Sequence, residues 1–230
     1  NQVSCSGADD GSAYVSPTGG TPPYSFLWTP GAQTNDTATM LTASAYSVKV
    51  TDFNGCTVTM AIVINEPAAL SVNIAKTDLL CYIDGENGSV TVTATGGTLP
   101  YTYNWSHDAS IAGFEIEEIP AGLYSVTVTD SKGCSGTVSV TVTRPPLLGV
   151  ALSSVIHVTC FGMSDGRTTA VVSGGTPPYT YQWNDPDTQI TSLATGLVAG
   201  NYSLTVTDAN GCDSVITVVI TEPPAFTAAI

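Results

Sequence analysis

The residues best suited to covalent chemistry are six cysteines, which recur at two fixed places in each of three similar stretches of the chain. The first place holds Cys5, Cys81 and Cys160, and the second holds Cys56, Cys134 and Cys212. A zinc site would need tighter clusters or histidine partners, and His107 and His157 occupy unrelated positions. The pattern therefore predicts disulfide bonds.

Two connectivities fit this spacing. We expect pairing inside each repeat, because Cys134 shares its strand parity with the core-facing residues Val138 and Val140. That connectivity comprises Cys5–Cys56, Cys81–Cys134 and Cys160–Cys212. The alternative is pairing between neighbouring repeats, because the opening turn and the final hairpin of each repeat would lie at opposite ends of a two-sheet β-sandwich. That connectivity comprises Cys5–Cys134 and Cys81–Cys212.

An acidic turn follows each first cysteine, and its candidate calcium ligands are Asp10, Asp84 and Asp165. Calcium needs six to eight oxygen ligands, and the spacing of an EF-hand loop is missing. Asp next to Gly is typical of tight turns, so we expect a structural role and no cofactor. Calcium held between repeats is the alternative interpretation.

Two further features were considered as sites where carbohydrate could be bound or attached. Rows of three alternating aromatic residues end at Trp28, Trp105 and Trp183, and we expect them to pack in the core rather than to stack on sugars. The triplet Asp36-Thr37-Ala38 resembles a bacterial O-glycosylation site and makes Thr37 the candidate acceptor. No HExxH, GxSxG or phosphate-binding glycine loop occurs, so we expect no catalytic residues and no enzyme activity.

Composition narrows the class of protein. Charged residues make up 10% of the 230 residues, and the formal net charge is −14. That charge repels phosphate, so nucleic acid is not an expected partner. The hydrophobic content of 43% is too high for a disordered chain. No apolar run approaches the ~20 residues of a membrane-spanning helix, so no membrane insertion is expected.

Self-comparison shows a repeat of about 78 residues, marked by a Gly-Gly pair, a Trp, a Cys and a closing Pro. The spacing predicts repeat 1 at residues 1–67 without its first strand, repeat 2 at 68–145 and repeat 3 at 146–223. Residues 224–230 then begin the first strand of a following repeat. Prolines at the joints predict stiff connections between the repeats. The partial repeats at the two ends of the sequence lead us to expect a segment of a longer array.

Alternating apolar and polar residues predict an all-β fold, with six or seven strands in each repeat. The Trp that ends one strand and a Tyr after a small-residue turn are typical of an immunoglobulin-like sandwich. The corner tyrosines are Tyr46, Tyr124 and Tyr202. We therefore expect three tandem immunoglobulin-like β-sandwiches in an elongated array.

The phrases GG-T-x-P-Y-x-x-x-W and V-T-D-x-x-G-C, followed by a closing Pro, resemble the SprB-type repeat of gliding Bacteroidetes-type bacteria. The resemblance implies export by a type IX route and display on the bacterial cell surface as adhesive filaments.

From this resemblance we expect a structural and adhesive stalk for attachment or gliding. The alternatives are an array of carbohydrate- or protein-binding modules and a passive spacer. Neighbouring repeats are the expected partners, with polysaccharide or other cells bound by regions outside this segment. Lateral self-association of filaments is a further expectation.

Overall fold

The computed structural model describes residues 1–82 and 88–228 of the chain, and every regular element in these ranges is a β-strand. The predicted all-β class is therefore confirmed. In this part of the chain there is no helix with the length and apolarity that a membrane span requires.

Repeat 1 contains five strands in two sheets. The strands are β1 (Gly11–Tyr14), β2 (Ser25–Thr29), β3 (Thr37–Leu41), β4 (Ser44–Thr51) and β5 (Thr57–Ile64). The first sheet pairs β1 with β3, and the second has the order β2-β4-β5. The first sheet is thus two-stranded in the residues described.

In the part of the chain that the structure describes, repeats 2 and 3 contain six strands each. Those of repeat 2 are β6 (Ser71–Thr77), β7 (Gly88–Thr95), β8 (Thr102–Trp105), β9 (Glu115–Ile119), β10 (Gly122–Thr129) and β11 (Ser135–Val142). Those of repeat 3 are β12 (Gly149–Ile156), β13 (Gly166–Ser173), β14 (Thr180–Trp183), β15 (Leu193–Leu197), β16 (Gly200–Thr207) and β17 (Asp213–Ile220).

Each six-stranded repeat forms two three-stranded sheets. Their orders are β6-β7-β9 and β11-β10-β8 in repeat 2, and β12-β13-β15 and β14-β16-β17 in repeat 3. This distribution of strands between two antiparallel sheets is that of an immunoglobulin-like sandwich, as predicted. Each of the six sheets among the described residues draws its strands from one sequence repeat.

A buried tryptophan anchors each sandwich. Trp28, Trp105 and Trp183 are 2%, 1% and 1% exposed. Each lies opposite an aliphatic residue on the neighbouring strand, and the pairs are Trp28 with Val48, Trp105 with Val126 and Trp183 with Leu204. The indole N–H also finds an acceptor, since Trp183 donates to the Thr191 carbonyl at 3.0 Å. A buried indole thus packs its ring without leaving its donor unpaired.

The corner tyrosines are also buried, with Tyr46, Tyr124 and Tyr202 between 5% and 7% exposed. The hydroxyl of Tyr46 donates to the Thr42 carbonyl at 3.2 Å, and that of Tyr202 donates to the Val198 carbonyl at 3.1 Å. This bond from a buried ring to the backbone four residues earlier is the tyrosine-corner arrangement.

Spatial contacts group the chain into two compact units. Unit 1 comprises Asn1–Ala75, Val90–Ile116 and Leu123–Val140, and unit 2 comprises Lys76–Ser89, Glu117–Gly122 and Thr141–Ile230. The core of unit 1 includes a cluster around Trp28, and unit 2 contains a cluster around Trp183. The boundaries of the three sequence repeats therefore remain predictions.

Replacing Trp183 by alanine tests how much the buried tryptophan contributes to the free energy of unfolding. We expect Trp183→Ala to lower the free energy of unfolding by about 3–5 kcal/mol, because a large cavity remains in a closed core. Ile190→Ala in the same repeat is the matched control, because Ile190 is 73% exposed. Urea denaturation measures both, and equal losses for the two variants would contradict this account of the core.

Candidate functional site

The tip of the last hairpin in each repeat is organised by one carboxylate. In repeat 3, Asp208 Oδ1 accepts backbone N–H bonds from Asn210 at 2.9 Å and Cys212 at 3.0 Å. Its Oδ2 accepts the N–H of Thr176 at 2.8 Å. Asp52 and Asp130 make the equivalent bonds in repeats 1 and 2. One aspartate therefore fixes both the cysteine and the turn that follows the Gly-Gly pair.

These carboxylates remain ionised in the fold. Burial is the largest single influence on the pKa of Asp208 and raises it, but backbone N–H donors from Thr176, Cys212, Asn210 and Gly211 together outweigh it. The pKa is therefore lowered from its ordinary value, as it also is for Asp52 and Asp130. A charged acceptor strengthens each of these bonds at neutral pH.

The loop around the first cysteine is held by two other acids. In repeat 3, Asp165 Oδ1 accepts the Thr159 N–H at 3.0 Å, and Glu222 Oε2 accepts the Gly162 N–H at 2.7 Å. In repeat 1 the same bonds run from Ser4 to Asp10 at 2.9 Å and from Gly7 to Glu66 at 2.6 Å. The loops beside Cys5 and Cys160 are thus held by the same two hydrogen bonds.

These bonds assign a turn role to two of the three calcium candidates. The carboxylates of Asp10 and Asp165 each accept the backbone N–H six residues earlier in the chain. Asp84 lies outside the described residues. Within the ranges that the structure covers, no group of three or more His, Cys, Asp or Glu side chains is placed to hold a metal ion.

Two disulfides join these elements, one in each unit. Cys5 bonds to Cys134 in unit 1, and Cys81 bonds to Cys212 in unit 2, both with a Cα–Cα distance of 5.7 Å. The local contacts repeat as well, because Cys134 Sγ lies 3.4 Å from the Ser4 carbonyl and Cys212 Sγ lies 3.4 Å from the Leu80 carbonyl. Each bond links the first cysteine of one repeat to the second cysteine of the next.

This connectivity replaces the one we expected. The pairs Cys5–Cys56, Cys81–Cys134 and Cys160–Cys212 are absent, and the alternative pairs Cys5–Cys134 and Cys81–Cys212 are present. The reason is the length of the last strand. Val158 N–H bonds to the Thr221 carbonyl at the far end of β17, whereas Cys212 precedes its start. Eight residues span about 26 Å, and a disulfide requires Cα atoms within about 7 Å.

The remaining cysteines, Cys56 and Cys160, are unpaired and exposed. They are the second cysteine of repeat 1 and the first cysteine of repeat 3. Their positions follow from the stagger, because bonds from each repeat to the next leave one cysteine over at either side of any three consecutive repeats.

In repeats 2 and 3 the Gly-Gly pair contacts the backbone of the residues around and just after the closing proline of the preceding repeat, which we call the entering segment. In repeat 3 the N–H of Gly175 donates to the Pro146 carbonyl at 3.0 Å, and a Cβ on Gly174 would lie 2.0 Å from the Leu147 carbonyl oxygen. In repeat 2 the corresponding contacts are Gly97 with Ala68, and Gly96 with Ala69. At Gly19 in repeat 1 no atom lies within 4 Å of that position.

In the sequence the glycine pair is recognisable only as a marker of the repeat. The signal that could have revealed its role is the proline that precedes the entering segment. Only a residue without Cβ admits a backbone carbonyl at this distance, and Gly174 also has a positive φ of 66°.

The aromatic rows are tied to the same place. Tyr179 donates its hydroxyl to the Gly174 carbonyl at 2.6 Å, and Tyr24 and Tyr101 donate to Gly19 and Gly96 at 2.5 Å. These tyrosines are half-buried. Their polar ends are thus engaged in holding the glycine pair rather than presented as a sugar platform.

Thr37 opens β3, and its hydroxyl donates to the Asp36 carboxylate at 3.0 Å. The residue is half-buried. Glycosylation of Thr37 stays a prediction.

Comparison with known proteins agrees with this organisation. Three stretches, residues 1–33, 73–110 and 154–188, match the family model described as the SprB repeat. The chain therefore contains three stretches that match the SprB repeat. With the immunoglobulin-like fold, they make it an array of adhesin-like repeat modules.

Two phage proteins are also similar. The decoration protein of Escherichia phage T5 is 41% identical over 81 residues, which is 30% of this chain and 49% of that protein. The chain thus spans about half the length of this relative. Three N-terminal domains of the highly immunogenic outer capsid protein (Hoc) of bacteriophage RB49 give a TM-score of 0.51 at 14% identity, covering 96% of both chains.

Animal immunoglobulin domains are more distant. The eight N-terminal domains of the Down Syndrome Cell Adhesion Molecule give a TM-score of 0.34 at 16% identity, covering 95% of this chain and 34% of that one. The similarity to Hoc supports the fold and nothing further.

Gly19 and Gly174 provide a matched pair of variants that tests the contact between the glycine pair and the entering segment. Gly19→Ala should cost about 1–2 kcal/mol, because alanine resists a left-handed backbone. Gly174→Ala should cost about 1–3 kcal/mol more, because the entering carbonyl must also move. Both positions have positive φ, so denaturation midpoints isolate the contact, and equal losses would show that the segment is not seated there.

Cyanogen bromide mapping tests the staggered disulfides, since the cleavable residues are Met40, Met60 and Met163. Without reduction we expect one product that retains residues 1–40, 61–163 and 164–230, and release of 41–60. Pairing inside repeats would instead yield residues 1–60 as one disulfide-linked product. Reduction should separate all four fragments in either case, which controls for complete cleavage.

Proposed function

We propose that this chain is a structural and adhesive stalk segment of a large secreted cell-surface adhesin, acting in surface attachment or gliding. The observation that carries the proposal is the staggered pair of disulfides, Cys5–Cys134 and Cys81–Cys212. Pairing from each repeat to the next is a device for joining repeats, and a ligand site does not need it.

The stagger gives the chain three parallel covalent routes between its two disulfides. The routes run through residues 5–81, 81–134 and 134–212. Cutting any single peptide bond between residues 5 and 212 leaves the two ends covalently connected. Pairing inside repeats would leave the joints, such as residues 56–81, as single unprotected links. A stalk under load and exposed to proteases gains from the first arrangement.

Location and charge support the same function. Disulfides persist in oxidising compartments, so with the SprB repeats they are consistent with an extracellular or surface protein. We further propose that the protein is exported by a type IX route and displayed on the bacterial cell surface. The net charge of −14 with five Lys and Arg residues keeps such filaments soluble.

We propose no catalytic role for the array. The aspartates of these turns accept bonds from backbone N–H donors, and their pKa values are lowered, whereas a general acid or base at neutral pH needs a raised one; they are Asp10, Asp52, Asp130, Asp165 and Asp208. Their chemistry is that of turns and joints.

The second candidate is a module that binds a protein or carbohydrate surface. The identity to a phage protein named for decoration favours it. Glycan-array and capsid-binding measurements on the purified chain separate the two proposals. Saturable binding by this segment alone would support the module, and absence of binding would support the stalk.

Single-molecule stretching between the two termini tests the stalk. With both disulfides intact, the shortest covalent route holds about 75 residues and limits extension to about 260 Å. After reduction the limit should rise to about 800 Å, with successive unfolding steps. An oxidised chain that extends as far as the reduced one, or reduced repeats that rupture in a single unresolved step, would contradict the proposal.

A further inference from the structure

The two disulfides differ in how well the surrounding fold shields them. Cys81 and Cys212 are each 7% exposed, whereas Cys5 and Cys134 are both half-buried. The backbone around the two bonds is alike, with a Cα–Cα distance of 5.7 Å and a carbonyl oxygen 3.4 Å from the second sulfur in each. The difference in exposure therefore points to the neighbouring side chains.

Large side chains flank the buried bond, and small ones flank the accessible bond. The flanking residues of the first cysteine are Leu80 and Tyr82 in the buried case, and Ser4 and Ser6 in the accessible case. The Tyr82 ring is fixed, because the Arg144 guanidinium lies 4.0 Å from the ring centroid and donates to the tyrosine hydroxyl at 3.4 Å. A small thiol in solution therefore has readier access to Cys5–Cys134.

The tip of the last hairpin is tied down beside the buried bond only. Asn210 Nδ2 donates to the Leu80 carbonyl at 2.9 Å, directly before Cys81 in the chain. The matching residue in repeat 2 is Lys132, which makes no such bond within the ranges that the structure covers. Lys132 instead places a positive charge two residues before Cys134, where it favours the approach of an anionic thiol.

A hydroxyl donor faces one sulfur of the accessible bond. Ser4 Oγ donates to Cys5 Sγ at 3.7 Å. At the other disulfide the corresponding residue is Leu80, whose side chain carries no donor. A hydrogen bond to sulfur favours the thiolate form, and a disulfide breaks faster when the departing thiolate is stabilised. Cys5 is thus the better leaving group, and Cys134 is the sulfur that an incoming thiol attacks.

We propose that Cys5–Cys134 is a site of reversible modification by low-molecular-weight thiols of the glutathione class, which form a mixed disulfide at Cys134. Cys81–Cys212 stays closed under the same conditions and serves as the permanent structural bond. Exposed disulfides are in general the labile ones, whereas shielded structural disulfides resist exchange.

The covalent step is a thiol–disulfide exchange, which needs no oxidant. The thiolate sulfur of glutathione bonds to Cys134 Sγ, and the bond from Cys134 Sγ to Cys5 Sγ breaks. The electron pair of the broken bond leaves on Cys5, which takes a proton from water. A second glutathione thiolate that attacks the mixed disulfide frees Cys134 and releases oxidised glutathione.

Opening this bond alone would change the covalent routes through the chain. The limit of extension between the termini would rise from about 260 Å to about 340 Å. Residues 5–81 would become a single link, whereas residues 81–212 would stay bridged by the second disulfide. A thiol would thus lengthen the segment in one step and leave it open to severing by one cut.

The inference rests on the stalk proposal for its biological meaning, but its test is separate. Failure of selective exchange would remove the thiol-sensitive bond, whereas failure of the stretching experiment would remove the stalk.

The test follows both disulfides in the whole chain carrying Cys56→Ser and Cys160→Ser, which removes the exposed thiols that could shuffle them. The chain is incubated with reduced glutathione, free thiols are blocked with N-ethylmaleimide at intervals, and peptides are identified by mass spectrometry. Cys5–Cys134 should open roughly tenfold faster than Cys81–Cys212, with glutathione on Cys134. Equal rates, the reverse order, or glutathione mainly on Cys5 would overturn the proposal.

Denaturing urea controls for the contribution of the fold. Both bonds should then open at similar rates, because the shielding side chains no longer hold their places. A preference that persists in urea would belong to the local sequence alone and would contradict the proposal.

Ser4→Ala tests the leaving group. The variant keeps the backbone bond from residue 4 to Asp10 but loses the hydroxyl, so Cys5–Cys134 should open at least about twofold more slowly. Ser6→Ala is the matched control on the other side of the same cysteine, and it should open as the parent does. An unchanged rate in Ser4→Ala would show that Cys5 is not the favoured leaving group.

Tyr82→Ser tests the shield of the buried bond. Opening of Cys81–Cys212 should become at least about fivefold faster, while Cys5–Cys134 keeps its rate. Phe161→Ser is the control, because Phe161 is 60% exposed at the matching position beside the unpaired Cys160. An unchanged rate in Tyr82→Ser, with circular dichroism showing an intact fold, would contradict the role of the flanking side chains.

Discussion

The opening turn and the last hairpin of each repeat lie at opposite ends of the last strand, and much of the organisation follows from this separation. Cys160 lies close to the residues that follow β17, and Cys212 lies immediately before it. With about 26 Å between the two ends, no rotamer brings these sulfur atoms together. A cysteine pair at these positions is therefore able to bond only outward, to the repeats on either side.

The sequence predicted the sandwich because its signals are local. Alternation places Trp183 and Leu204 on one face, and Asp208 with Gly211 closes the hairpin between two strands whose register is then set. The same parity reasoning failed for the cysteines. Parity states which face of a sheet a residue occupies, but a disulfide depends also on which end of the strand it occupies. The length of the apolar run before Pro223 contained that information.

The contact between the glycine pair and the entering segment could not be predicted from the sequence alone. A glycine pair after an alternating strand is typical of any turn, and the positive φ of Gly174 would satisfy that interpretation by itself. What distinguishes Gly174 is its contact with the backbone carbonyl of Leu147, which belongs to a segment distant in sequence. Its position depends on packing rather than on local propensity. Repeat 1 shows the difference directly, because Gly19 has the same backbone and no such neighbour.

The magnitude of the loop entropy indicates what the stagger does. Bonds across repeats close loops with separations of 129 and 131 residues, whereas bonds within repeats would close loops of roughly 50 residues. In the chain-entropy model this difference is worth only about 0.8 kcal/mol for each bond. Thermodynamic stability therefore gives little reason to prefer one connectivity over the other. The mechanical difference is large, because only the staggered bonds leave no joint dependent on a single run of peptide bonds. Under the stalk proposal, the arrangement of the cysteines therefore serves the continuity of the chain under load rather than the stability of its parts.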